Sequence, residues 1–151
     1  MVDVVEVSAV VAAACVLVGV VYYILDIRNQ SRIRQTDLTM RLYQGMLTEG
    51  LTEYWYQVKV KGEKDFNEWA KGEGWKQLLK MSTFCEEIGF LLHRKLLDID
   101  MTRELFAEAV KQIWEKNESR FKEMHSDKCF WFEYLYKELQ KREQQLASKT
   151  I

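Results

Sequence analysis

The sequence contains no proline and only seven glycines, three cysteines and two histidines among its 151 residues. Because proline interrupts helices, its absence leaves long helices free to form. Three cysteines cannot all pair, and none has C-x-x-C spacing, which argues against a disulfide framework and a zinc ribbon. The net charge is only −1, whereas a general nucleic-acid binder is usually basic. The sequence therefore predicts no nucleic-acid partner.

Charge is missing altogether between Val7 and Leu25, and extending this stretch to Ile27 adds only Asp26. Twenty-one residues at about 1.5 Å each cover roughly 31 Å, close to the ~30 Å hydrocarbon core of a bilayer. Ten of the uncharged residues are Val, Leu or Ile, and together they favour insertion by about 3 to 6 kcal/mol. A charge at the centre would cost about 2.5–3.5 kcal/mol, but Glu6 and Asp26 lie at the ends. This pattern predicts a transmembrane helix.

A cleaved signal peptide and a buried core helix are the two alternatives for this stretch. A signal peptide has a basic start, whereas this one carries Asp3 and Glu6 and no Lys or Arg. A core helix usually has polar residues along one face, and here only Ser8 interrupts the apolar surface.

The orientation follows from the charges that flank the span. Arg28, Arg32, Arg34 and Arg41 come after it, and no basic residue comes before it. The positive-inside rule then places the carboxyl side in the cytoplasm and the N-terminus outside. We expect residues 1–27 to form a short external tail and a single-pass helix in the cell membrane, with the bilayer as its partner.

Two features of this region favour contacts with other molecules. The Arg28–Arg34 cluster fixes topology and also suits anionic lipid. Small residues four apart allow close approach of a second helix and favour self-association of the anchor; they are the pairs Ser8–Ala12, Ala9–Ala13 and Cys15–Gly19.

The hydrophobic periodicity after the span is helical throughout and predicts an all-α cytoplasmic part. We expect a juxtamembrane helix over residues 28–60, weakened locally by Gly45 and Gly50. A connector over 61–74, with one helical turn around Phe66–Trp69, should lead into a bundle core over 75–147 and a tail over 148–151.

Within the bundle core we predict three helices. The first runs from Trp75 to Leu97, with Gly89 marking the close approach of a neighbouring helix. Asp98 and Asp100 are suitable N-caps for the second helix. Ser126 would cap the third, over 127–147. The predicted fold is an antiparallel helical bundle on an N-terminal transmembrane helix.

A stretch from about residue 78 to 141 resembles an uncharacterised family of small prokaryotic membrane-anchored helical proteins, known only as a domain of unknown function. The likeness lies in Phe84-Cys85-Glu86-Glu87-Ile88-Gly89, Leu96-Leu97-Asp98, Trp114-Glu115 and Phe132-Glu133-Tyr134-Leu135. The resemblance implies an N-terminal anchor and a helical domain, and it brings no activity, cofactor or catalytic residue with it.

Candidate metal and catalytic side chains are few. Cys85, Glu86, Glu87 and His93 share one predicted helix, but Glu86 and His93 are about 10 Å apart along its axis. The Glu-x-x-His pairs of four-helix di-iron sites do not occur. His125 and Cys129 are too few for a structural zinc site.

We therefore predict no catalytic residue, no metal ligand, no cofactor and no small-molecule substrate. Four glutamates should instead link neighbouring helices through hydrogen bonds or ion pairs: Glu86, Glu87, Glu115 and Glu133. Their expected partners are Arg94, Arg103, Arg120 or a tyrosine hydroxyl.

Aromatic residues are abundant, and Phe130, Trp131 and Phe132 are consecutive. Successive helical residues point about 100° apart, so these three cannot all face one core. One of them should meet a partner subunit, the membrane surface or solvent.

The function predicted from these features is that of a non-enzymatic, membrane-tethered interaction or scaffold protein. It would bind itself or a protein partner at the inner membrane face. Two alternatives stay open: an accessory subunit of a larger membrane complex, and a carboxylate-based metal-dependent enzyme.

Overall fold

The computed structural model describes residues 4–48, 50–123 and 129–149, and these residues are all-α, with no strand among them. Six helices contain most of them: α1 (Val4–Thr48), α2 (Leu51–Val60), α3 (Glu63–Lys71), α4 (Glu73–His93), α5 (Ile99–Glu123) and α6 (Phe130–Lys149). The predicted all-α class is confirmed.

The chain divides into two compact units, Met1–Gln35 and Thr36–Ile151. The described part of unit 1 is the first part of α1. Its apolar stretch is long and apolar enough to cross a membrane by length and composition, and none of this stretch is buried. Val16, Leu17 and Val18 are each about two-thirds exposed.

Unit 2 begins on the last turns of α1, where the helix buries one face. Thr39, Leu42 and Met46 follow a three- and four-residue spacing and are all buried. The predicted continuous helix over 28–60 is interrupted: Gly50 has φ +72° and separates α1 from α2. Glycine adopts this left-handed conformation without the steric cost of a Cβ. Gly50 was expected only to weaken a continuous helix, but it lies at a break between α1 and α2.

The predicted connector over 61–74 contains a complete helix, α3. Its apolar side chains pack into the core of unit 2, where Phe66 and Ala70 are both buried. Trp69 stacks on Tyr54 of α2 with ring centroids 5.5 Å apart. Gly74, at the start of α4, leaves room for the same indole ring: a Cβ there would lie 2.6 Å from it. The sequence predicts a single helical turn here. The helix has nine residues instead, because burial of its apolar side chains in the tertiary structure stabilises it.

Buried apolar side chains from all six helices form the core of unit 2. Its fully buried large side chains include Leu78, Met81, Ile88, Phe106, Ile113, Phe132 and Leu135. The short turn between α4 and α5 ends at Asp98, whose Oδ1 accepts the backbone N–H groups of Asp100 and Met101 at 3.0 and 2.9 Å. The predicted N-cap at Asp98 is confirmed.

Asp100 does not cap α5. It binds Arg142 of α6 through two hydrogen bonds of 2.7 Å each. This bidentate geometry matches the planar guanidinium to the carboxylate and joins the start of α5 to the last turns of α6. The predicted cap Ser126 lies outside the described residues, and α6 begins at Phe130.

Candidate functional site

The main chains of α4 and α6 approach each other closely where α4 meets the beginning of α6. A Cβ built on Gly89 would overlap the Trp131 carbonyl oxygen and lie 2.6 Å from its carbonyl carbon. Only a residue without a side chain lets the two main chains approach this closely. The prediction that Gly89 marks a close helix approach is confirmed.

Glu86, one turn before Gly89, caps α6 from the neighbouring helix. Its two carboxylate oxygens accept the backbone N–H groups of Trp131 at 3.2 Å and Phe132 at 2.8 Å. The residue in the N-cap position is Cys129, whose carbonyl accepts the Glu133 N–H. A thiol is a poor cap, so Glu86 satisfies the first free N–H groups of the helix.

Burial raises the pKa of Glu86, while the two backbone hydrogen bonds act in the opposite direction. The carboxylate is half-buried, and its negative charge faces the positive end of the α6 dipole. The predicted role of Glu86 as an inter-helix clasp is confirmed, but its partners are main-chain N–H groups rather than an arginine.

Cys85 and Cys129 are both buried free thiols near Glu86. Burial raises the pKa of each thiol, and the nearby Glu86 charge raises it further. Both are therefore thiols at neutral pH, which disfavours nucleophilic chemistry because the thiolate is the nucleophile.

The aromatic triplet at the start of α6 points in three directions, as predicted. Phe132 is fully buried, Trp131 is half-buried and Phe130 is 56% exposed. Phe132 packs edge-on against Trp114 and Phe121 in the core, at 5.1 and 5.2 Å.

The other two members of the triplet belong to a surface group that we call the aromatic cluster: Phe90, His93, Phe130, Trp131 and Tyr134. Trp131 is at its centre, with ring centroids 4.7 Å from His93, 4.8 Å from Phe130, 5.6 Å from Phe90 and 6.0 Å from Tyr134. Phe90 is 43% exposed and Phe130 is 56% exposed. Five rings from two helices thus form one partly apolar surface.

The other three glutamates that were predicted to link helices have different surroundings. The Tyr136 hydroxyl donates to Glu115 at 3.3 Å, so a tyrosine does serve one glutamate. Glu133 binds Lys137 one turn away on α6. Glu87 lines an open groove on the outer face of α4, together with Leu79, Lys80, Thr83 and Phe84.

Two of the three expected arginine partners, Arg103 and Arg120, are engaged elsewhere. Arg120 donates to Asn117 at 2.9 Å and to Asn67 at 2.6 Å, and Arg103 contacts Glu104. Among the residues whose side chains the structure describes, no three His, Cys, Asp or Glu side chains are grouped to hold a metal. His125 lies outside the described residues.

Sequence reasoning missed a polar link between α5 and the α2–α3 segment. The Lys116 ammonium donates to the carbonyl oxygens of Val58 and Lys61 at the end of α2. Asn117 beside it is fully buried, and its amide donates to the Ile113 carbonyl at 2.9 Å. Only the fold brings these residues together, since more than 50 positions separate Lys116 from its acceptors.

Charged and apolar side chains are also exposed together where α4 ends. His93, Arg94, Lys95 and Leu96 are all exposed, and Leu96 keeps 49% of its surface in solvent. Lys95 has φ +59°. We call this segment the basic turn (His93–Leu96).

Comparisons of this chain with protein-family models, with curated proteins and with solved structures give no significant match. The resemblance over residues 78–141 stays a prediction.

Proposed function

We propose that this chain is a single-pass, membrane-tethered helical interaction protein without enzymatic activity. Its N-terminus would lie outside the cell membrane and its helical domain in the cytoplasm. The observation that carries the proposal is the fully exposed apolar surface of α1 after Val7, because a contiguous apolar surface of this size requires a partner. A bilayer covers it on every side.

The cytoplasmic part of the proposal is an antiparallel bundle. The contacts between α5 and α6 support opposite directions, because early Asp100 meets late Arg142 while late Phe121 meets early Phe132. Phe84 of α4 packs against Phe106 of α5, which agrees with reversal through the short α4–α5 turn.

The aromatic cluster is the surface that we propose for protein contact, either with a second copy or with another protein. A few residues carry most of the binding free energy at protein interfaces, and Trp and Tyr are enriched among them. Confinement to a membrane raises the effective concentration of a partner in the same membrane, so even a small patch can be sufficient.

Native mass spectrometry of the full chain, released from its own membrane in mild detergent, tests this function. We expect a complex for the wild type, loss of that complex for Phe130→Ser, and retention for Tyr56→Ser. Tyr56 is a matched control, since it is an aromatic side chain 59% exposed on α2. A wild type that is only monomeric would contradict the proposal.

The accessory-subunit alternative is favoured by a different observation, the small residues of the anchor. Lipid-facing crosslinkers placed beside Cys15 or Gly19 would capture another membrane protein in that case, and a second copy of this chain in the case of self-association.

The carboxylate-enzyme alternative has a specific observation against it. Glu86, its central carboxylate, uses both oxygens on the main chain of α6. Elemental analysis of the purified chain tests it, and a stoichiometric transition metal would support that alternative.

A further inference from the structure

We infer that two copies of this chain associate through the outer face of α4, with the two α4 helices antiparallel and related by a twofold axis. The inference deepens the proposed function and rests on it, because it names a second copy of the chain as a protein partner. This contact is separate from the aromatic cluster and adds a second surface to it.

Four charged side chains on the outer face of α4 are the first observation, and we call them the charge strip: Glu73, Lys80, Glu87 and Arg94. They are spaced exactly seven residues apart, from the first residue of α4 to its C-cap in the basic turn. Seven residues are almost two helical turns, so each side chain is rotated only about 20° from the one before it. All four are exposed, and none has a side-chain hydrogen bond or ion pair with the described part of the chain.

The signs of the charge strip alternate, which makes it complementary to its own reverse. An antiparallel second copy, reversed about a point beside Thr83, places Lys80 opposite Glu87 and Glu73 opposite Arg94. Both pairs have the same midpoint in the sequence, so one twofold axis satisfies them together, and each pair occurs twice. A parallel copy in register would instead place like charges opposite each other at all four positions, and such charges set the orientation of paired helices.

The surface around that midpoint has the shape and the apolar content of a helix contact. Leu79, Lys80, Thr83, Phe84 and Glu87 line an open groove there. Leu79 is 37% exposed and Phe84 is half-buried. A second α4 lying along the groove would cover both apolar side chains between the two pairs of charges.

The balance of charge favours a second copy over other occupants. Two acidic and two basic side chains cancel, whereas acidic lipid and nucleic acid are bound by surfaces with an excess of cations. A strip about 30 Å long and about 10 Å wide is also smaller than the area of about 800 Å² that each partner gives to a standard interface. The association is therefore weak in solution, and confinement of both copies to one membrane raises their effective concentration.

Crosslinking of the full chain in phosphatidylcholine proteoliposomes tests this arrangement. Cys15→Ser removes the exposed native thiol, while Cys85 and Cys129 are buried. In this background Thr83→Cys places a thiol beside the twofold axis, and Lys111→Cys, at an exposed position on α5, is the matched control. A short bismaleimide should join two copies through position 83 and leave the chains with a thiol at position 111 single.

Charge reversal in the Thr83→Cys background tests the pairing itself. Lys80→Glu or Glu87→Lys alone replaces two attractive pairs by two repulsive ones. At about threefold for each attraction lost and each repulsion gained, the dimer weakens by roughly 80-fold, and crosslinking should fall to the control level. Lys111→Glu, which makes the same change in net charge, should leave crosslinking unchanged.

Mixing the two single variants in one vesicle, with one of them mass-tagged, gives the sharpest result. Neither variant should crosslink to itself, but the two should crosslink to each other, because opposite charges then meet at both pairs. The double variant Lys80→Glu, Glu87→Lys should crosslink like its parent for the same reason.

Equal crosslinking at positions 83 and 111 would overturn the inference, and so would single variants that crosslink as well as their parent. If position 83 does not crosslink while native mass spectrometry still detects a complex, the α4 contact is wrong and the proposed function stands. If the wild-type chain is monomeric by both methods, the α4 contact and the proposed function are both wrong.

Discussion

Replacing Gly89 with alanine sets two effects against each other. Alanine is favoured over glycine in a helix interior by about 1 kcal/mol, which alone would stabilise α4. The added methyl group, however, would overlap the main chain of Trp131. A backbone carbonyl cannot move aside as a flexible side chain can, so α6 itself must shift.

The clash should exceed the gain in helix propensity. Overpacking of a well-packed core costs about 1–3 kcal/mol. A shifted α6 also lengthens the hydrogen bonds from Trp131 and Phe132 to Glu86, and losing a helix cap costs about 1 kcal/mol. We therefore expect Gly89→Ala to lower the free energy of unfolding by about 2 kcal/mol after the propensity gain is included.

Gly45→Ala is the matched control. Gly45 also lies inside a helix, but a Cβ there meets nothing within 4 Å, so the variant should gain about 0.5–1 kcal/mol. Urea titration of the full chain in detergent, followed by tryptophan fluorescence, measures both changes. If Gly89→Ala proves as stable as Gly45→Ala, the α4–α6 packing described above is wrong.

Two further predictions concern pH. Because burial raises the pKa of Glu86, the folded chain holds this proton more tightly than the unfolded chain does. The free energy of unfolding should therefore fall as pH rises through the window that starts at the ordinary value of 4.5; Glu86→Gln should remove this slope in pH-dependent urea titrations, and an unchanged slope would contradict the assignment. Arg142 lowers the pKa of Asp100 below its ordinary 3.8, so this pair contributes stability above that value and loses it in acid. Arg142→Gln should flatten the acid limb of the same titration, and an acid limb like that of the wild type would count against the pair.

Local signals in the sequence were sufficient for the helical class and for several boundaries. The apolar periodicity predicted α4 within four residues at either end, and the cap candidates placed the start of α5. Asp98 could be predicted as an N-cap because a carboxylate directly before a helix can accept the free N–H groups of its first turn. Gly89 was recognised because a glycine within an apolar stripe has few uses other than close packing.

What could not be predicted depends on tertiary contacts. The segment that forms α3 has three nearby glycines and many charges, and it is helical because Phe66, Trp69 and Ala70 find a core. Gly50 was expected to weaken a helix, but nothing local distinguishes a weak point from a break with positive φ.

The candidate site was only half visible in the sequence. The directions of Phe130, Trp131 and Phe132 follow from helical geometry alone. That Phe90 and His93 complete the aromatic cluster, and that Glu86 caps α6, depends on how α4 and α6 cross. Those pairs are more than 35 positions apart, so no local pattern reports them.

Flotation after alkaline carbonate extraction tests the central proposal most directly. The full chain should stay with the membranes. A Val11→Arg, Val18→Arg double variant should be extracted, because two central charges cost about 5–7 kcal/mol, which offsets the 3–6 kcal/mol that the apolar residues contribute. A wild-type chain recovered in the carbonate supernatant would contradict the account.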